Sequence, residues 1–149
     1  MPQQRFDLEY QAADGTRQRP VIVHRAILGS VERMLAILIE HTAGQWPFWL
    51  SPRHALVCPV HENLRGAAVQ VRDQLHAAGF HVDVAPHEER LSKMVRAGQQ
   101  AGYNFVLVVG EREAAEGTVS VRTREGKQMG TRTVQQIIEH FEELDKEFK

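Results

Sequence analysis

The chain begins with short alternation. Phe6, Leu8 and Tyr10 are separated by polar residues, Asp14-Gly15 is a turn pair, and Val21–His24 predicts a return strand. An isolated hairpin is marginal in water, so these strands read as pieces that need a partner. The period then changes. Val31, Met34, Leu35, Leu38 and Ile39 recur at helical spacing, widened by Ile37. Ser30 suits the N-cap of that helix, which ends near Gly44. Trp46–Pro52, WPFWLSP, holds two prolines and no helical period. It predicts an extended linker whose aromatic side chains dock on a neighbouring surface.

From residue 53 onward strand and helix patterns alternate. Ala55–Val60 is a short apolar run. Leu64, Ala68, Val71, Leu75 and Ala78 mark a helix closed by Gly79. Phe80, Val82 and Val84 alternate as a strand, and Leu91, Met94, Val95 and Gly98 lie on one side of a second helix. Phe105–Val109 is continuously apolar, as suits a strand buried on both faces. Val119 and Val121 alternate with Ser120 and Arg122. The last helix opens with Thr133 and Gln136 at capping-box spacing and carries Val134, Ile137, Ile138, Phe141 and Leu144 as its buried stripe. This βαβαββα order predicts an α/β domain with a largely parallel sheet.

Size and charge narrow the classes of function. The 149 residues have room for one compact domain plus a tail or linker. No apolar run approaches the ~18 residues of a membrane span. The opening MPQQRFDLEY lacks an apolar core, which argues against a secretory signal. A lone cysteine, Cys58, forbids an internal disulfide and fits a reducing compartment. A net charge of −1 disfavours a protein that coats nucleic acid non-specifically. No membrane or DNA partner is expected. Local basic edges remain available to RNA: Arg90, Lys93 and Arg96 form one cluster, and Arg122, Arg124, Lys127 and Arg132 another. Cys58-x-x-His61 has metal-like spacing but no second pair, and neither H-x-x-x-H nor G-x-x-x-x-G-K-[ST] occurs.

Five blocks, in order, carry a resemblance. They are RPVIVHRAILGSVER at Arg19–Arg33, WPFWLSP at Trp46–Pro52, LSKMVR at Leu91–Arg96, YNFVLVVGERE at Tyr103–Glu113 and TVSVRTREGKQMG at Thr118–Gly130. Together they resemble the C-terminal part of class II threonyl-tRNA synthetases, from the third signature motif through the anticodon-binding domain. The resemblance implies three parts. Residues 1–45 would be a hairpin-plus-helix remnant of the catalytic core, 46–53 a linker, and 54–149 an anticodon-binding domain with a mixed, mostly parallel sheet flanked by helices. It implies threonine tRNA as partner, a homodimeric parent enzyme, and a cytoplasmic location, with a mitochondrial form also open.

The resemblance also assigns roles. In the family, the Glu of the G-x-x-E turn and the first Arg of R-T-R contact the anticodon. These positions fall on Glu113 and Arg122. A carboxylate can accept two N–H bonds from guanine, and a guanidinium can donate to the carbonyl oxygens of G or U. A surface Glu–Arg ion pair is the plainer alternative. Arg122 is expected to project away from the core beside Glu113. Arg96, with Lys93 on the same helix face, matches a family position near the anticodon loop, where a solvated face is the alternative. Glu88 departs from the Asn-like residues common at its position. The resemblance makes His24 one of three zinc ligands in the parent enzyme, and Arg33 and Ser30 part of its ATP and substrate site. The other zinc ligands and the second motif lie outside this sequence. Zinc and ATP/Mg therefore belong to the parent enzyme, with no cofactor expected for this chain alone. A freestanding protein-interaction module derived from the same domain is the competing function.

Overall fold

The computed structural model of the chain describes residues 5–86 and 89–149. Two compact units divide between Ile37 and Leu38. In the first, a polar turn closes a hairpin of two-residue strands, β1 (Tyr10–Gln11) and β2 (Arg17–Gln18), with Tyr10 opposite Gln18. Asp14 shapes the turn. Its carboxylate accepts the Thr16 hydroxyl at 2.7 Å and the Thr16 N–H at 3.0 Å, bonds that hold its carboxyl below the usual range. Gly15 supplies the positive φ of +81°. The expected return strand at Val21–His24 does not form. Val21 and Val23 are 86% and 83% exposed, and the stretch has no strand partner among the described residues. Branched side chains favour extended backbone, but a strand exists only through bonds to a neighbour.

Helix α1 (Val31–Thr42) follows the predicted period and runs across the division. The Ser30 hydroxyl accepts the Arg33 N–H at 3.3 Å and donates to Glu32 Oε2 at 2.7 Å. None of the helix residues is buried, and Leu35, Ile37 and Ile39 are exposed.

In the second unit the expected extended linker contains a single 3-10 turn, Phe48–Leu50. Its aromatic anchor is Phe48, only 3% exposed. The ring centroid of Phe48 lies 4.4 Å from that of His54, 4.7 Å from Phe141, and 5.9 Å from both Phe80 and Phe105. Five strands follow in the order β4-β3-β5-β6-β7. β3 (Ala55–Pro59) pairs in parallel with both β4 (Val82–Val84) and β5 (Phe105–Val109). An antiparallel meander of β5, β6 (Thr118–Thr123) and β7 (Gln128–Thr133) completes the mixed sheet. The flanking helices are α2 (Arg65–Ala77), α3 (Leu91–Gln100), the short α4 (Glu111–Glu116) and α5 (Val134–Lys146).

Strand alternation splits the apolar side chains between two cores. Val57, Leu107, Val109, Val119 and Val121 meet Val71 and Leu75 of α2 and Ile137 and Phe141 of α5. On the opposite face Leu56, Cys58, Val106 and Val108 meet Met94 and Val95 of α3. Gly98 brings α3 close there. A Cβ at Gly98 would lie 2.7 Å from Leu56 Cδ2 and 3.4 Å from Val106 Cγ2. Among the described residues this second core draws nothing from β6 or β7. The meander therefore offers one uncovered face, with α3 alongside.

Candidate nucleic-acid interface

Val119 and Val121 enter the first core, so Ser120 and Arg122 occupy the other face of β6. Arg122 stands opposite Val106 of β5. β7 extends that surface, with Thr131 opposite Ser120 and Gln128 opposite Arg122. Both β7 residues are exposed. The register shifts between Val121 and Arg122, because Val121 faces Gly130 while Arg122 faces Gln128. Met129 is the extra residue and packs against the first core, and Gly130 adopts a φ of +84°. Such a bulge sharpens the local twist and re-aims the adjoining side chain, here Arg122.

Arg122 is half-buried along the edge of the second core rather than projecting wholly away from it. Burial pushes the thiol of Cys58 in the second core up to about 12, and the Arg122 charge acts against that shift. Arg122 Nε is closed off from solvent without a hydrogen-bond partner. A polar atom so placed is costly unless a ligand satisfies it.

Glu113 is held differently. It sits in the first turn of α4, which is flanked by Gly110 at its N-cap and by Gly117, φ +65°, at its C-cap. Its Oε2 lies 2.7 Å from where a Cβ on Gly110 would be, so the side chain folds back over the strand end. It lines a cavity of about 290 Å³ with Val71, Val109, Thr118 and Val134. No hydrogen bond or ion pair among the described residues joins Glu113 to Arg122. Glu113 thus lies with first-core residues while Arg122 occupies the other face of β6, so the two groups expected side by side are apart, and the plainer alternative of a Glu113–Arg122 ion pair is not formed among the described residues.

Lys93 and Arg96 are exposed on α3, with Lys93 paired to Glu89 one turn earlier. Gln99 Nε2 lies 3.5 Å from the position of a Cβ on Gly126. That sets the last turn of α3 beside the β6–β7 turn. Glu88 lies outside the described residues. In the other unit, His24 and Arg33 are exposed, and Ser30 is engaged in capping its own helix. His24 stands in an irregular stretch, and no group of three His, Cys, Asp or Glu among the described residues is placed to hold a metal. A catalytic zinc takes about three protein ligands, and among the described residues His24 stands without two others beside it. Cys58 of the Cys58-x-x-His61 pair is buried and protonated, while His61 is exposed.

Sequence reasoning placed Ser120 and Arg122 on one face but missed Gln128 and Thr131, because β7 itself was not foreseen. It also missed Asn104, which is buried and donates to the Trp46 carbonyl at 3.1 Å. Arg124 donates to the same carbonyl at 3.2 Å. The alternation Ser120, Arg122, Arg124 was the available signal.

Chemically, the uncovered face offers hydroxyls, an amide and a guanidinium, with the Arg96 edge beside it. Such a surface suits unstacked bases, whose Watson–Crick edges present both donors and acceptors. No helix among the described residues is long and apolar enough to cross a membrane.

Comparison with known proteins gives the same direction. The family model described as "Anticodon binding domain" matches residues 54–144. A mitochondrial threonine–tRNA ligase of Arabidopsis thaliana is 49% identical over 145 residues, covering 97% of this chain and 20% of the relative. The cytoplasmic threonine–tRNA ligase 1 of Homo sapiens is 52% identical over 147 residues, with coverages of 97% and 20%. The chain thus spans about a fifth of the length of these curated relatives. Among solved structures, the RNA binding domain of threonyl-tRNA synthetase from Cryptosporidium parvum superposes with a TM-score of 0.75 at 40% identity. That match covers 95% of this chain and 36% of the other. With its family model spanning most of the second unit, the chain belongs to the anticodon-binding domain family.

Proposed function

We propose that this chain is the C-terminal region of a cytoplasmic threonine–tRNA ligase and reads the anticodon of threonine tRNA. The single observation that carries the reading is the uncovered face of β6–β7, where Arg122 keeps a buried donor unpaired at a bulge. The relatives support the threonine assignment, since their names specify that ligase. In this reading Arg122 donates to carbonyl oxygens of the anticodon. Arg96 and Lys93 bracket the loop, and Glu88, three residues before α3 in the sequence, is a further candidate contact. Glu113 is the proposed acceptor for guanine. Residues 1–45 form the end of a catalytic core, 46–53 the linker and 54–149 the anticodon-binding domain.

The parent enzyme would join threonine to ATP as an adenylate and then to the tRNA 3′ end. It would act as a homodimer that uses ATP/Mg and zinc. His24, Ser30 and Arg33 contribute to the active site only in the parent. The isolated chain is expected to show no threonine-dependent pyrophosphate exchange. A fluorescence titration with threonine-anticodon stem-loops tests the proposal. Saturable binding that weakens tenfold or more when the middle base is swapped supports it, since one mismatched contact set is worth roughly 1–3 kcal/mol. Equal affinity for both loops overturns the anticodon reading.

The exposed apolar stripe of α1 favours a second reading, a protein-docking module. Arg122→Ala separates the two, because it should weaken the stem-loop and leave any protein contact through α1 unchanged.

A further inference from the structure

We infer that Asn104 and Arg124 are positioning residues that couple the RNA-reading strand β6 to the segment preceding the sheet, so that RNA bound at Arg122 is sensed at Trp46. The inference rests on the reading of β6 proposed above. Its basis is a convergence of bonds on one carbonyl. Asn104 Nδ2 donates to the Trp46 carbonyl at 3.1 Å, and Arg124 Nη1 donates to it at 3.2 Å. The two clamp residues are themselves linked, since the Arg124 N–H donates to the Asn104 carbonyl at 3.0 Å. Asn104 is tied to the same segment a second time by its N–H, which donates to the Arg53 carbonyl at 3.2 Å. Arg53 is in turn braced by its bond to the Ala101 carbonyl at 2.7 Å and by its place over the Tyr103 ring.

Arg124 follows Arg122 by two residues and opens the turn directly after β6, which ends at Thr123. Both keep Nε buried without a hydrogen bond, and Asn104 Oδ1 is likewise unsatisfied. The Glu125 carboxylate, 3.7 Å from Arg124 Nε, is too distant for one. The bonds to Trp46 lie at the long end of the hydrogen-bonding range. The clamp is therefore formed but not fully satisfied, and it has room to tighten. A base that engages Arg122 pulls on the end of β6 that faces the β7 bulge. The displacement reaches Arg124 through two residues of shared backbone, and Arg124 acts directly on Trp46. Trp46 is half-buried, so its indole reports the change.

The chain holds two tryptophans, Trp46 and Trp49. In a Trp49→Phe background Trp46 is the sole emitter. Binding is measured independently by anisotropy of a labelled threonine-anticodon stem-loop. The expected result is a saturable change in Trp46 emission that follows the same Kd as the anisotropy. Asn104→Ala changes no charge. It should weaken the stem-loop by about fivefold or more, the reciprocal of the coupling, and abolish the emission change. Arg124→Met should also abolish it, and serves as the readout if the Asn104 variant does not fold. Binding without any Trp46 response, or a response that persists in either folded variant, overturns the coupling alone. No binding by the Trp49→Phe chain overturns the RNA reading and the coupling together.

Discussion

Replacing Arg122 with methionine should move stability and RNA binding in opposite directions. The stem of Arg122 lies opposite Val106 at the edge of the second core, and its Nε is buried with no acceptor. Methionine keeps an unbranched apolar stem there and removes the unpaired donor. An orphaned buried N–H costs about 1–3 kcal/mol, and the half-exposed side chain argues for the lower end, so the gain is about 1 kcal/mol. For a unit of this size that corresponds to a rise of about 4–6 °C in Tm. The RNA contact should be lost at the same time. One guanidinium–base contact is worth about 1–3 kcal/mol, or roughly 5- to 150-fold in Kd. Thermal unfolding by circular dichroism reads the first effect, and anisotropy with the threonine-anticodon stem-loop reads the second. A variant that loses several degrees of Tm while keeping its affinity would refute the reasoning. Arg122 would then be a structural strut rather than a reader held in wait. A residue that costs the free protein stability and serves a ligand is a known trade between stability and function.

Three further outcomes follow from the same geometry. Burial, helped by the charge of His81, lowers the proton affinity of His54, and burial with Arg132 does the same for His140. The unfolded chain then binds more protons, so stability should be full above the ordinary histidine pKa and fall as pH drops below about 6.5. Urea midpoints between pH 7.5 and 5.5 check this, and a flat profile contradicts it. Cys58, pushed up to about 12, should stay protonated at pH 8 and react with a thiol reagent only on unfolding. Rapid native labelling would mean that α3 opens readily. Thr133→Ala removes the bond that its hydroxyl accepts from Gln136 N–H at 3.2 Å, half of a capping box. The expected loss is about 1 kcal/mol in a denaturant titration, and an unchanged midpoint would show that α5 is held by packing alone.

Elements with a strong apolar period were legible in the sequence. α1, α2, α3 and α5, and the strands through Val57, Val82, Leu107 and Val121, all follow from spacing. β7 was not legible, because QMGTRT turns only Met129 inward and otherwise reads as a polar loop. α4 was hidden for a similar reason, since EREAAE has no apolar stripe. Val21–His24 failed in the other direction. Its residues suit a strand, but no strand lies beside it among the described residues. At the interface, alternation fixed the face of Arg122, yet the relation of Glu113 to it depended on the unforeseen α4. The bulge at Met129–Gly130, which aims Arg122, arises from a cross-strand register that one strand's sequence does not contain.

Hydrogen exchange with and without a saturating threonine-anticodon stem-loop tests the central claim most directly. The account predicts new protection across Thr118–Thr133 and along the exposed edge of α3, with α2 and α5 unchanged. Protection confined to α2 and α5, or to residues 21–39, would place the RNA elsewhere and contradict the assignment of the β6–β7 face.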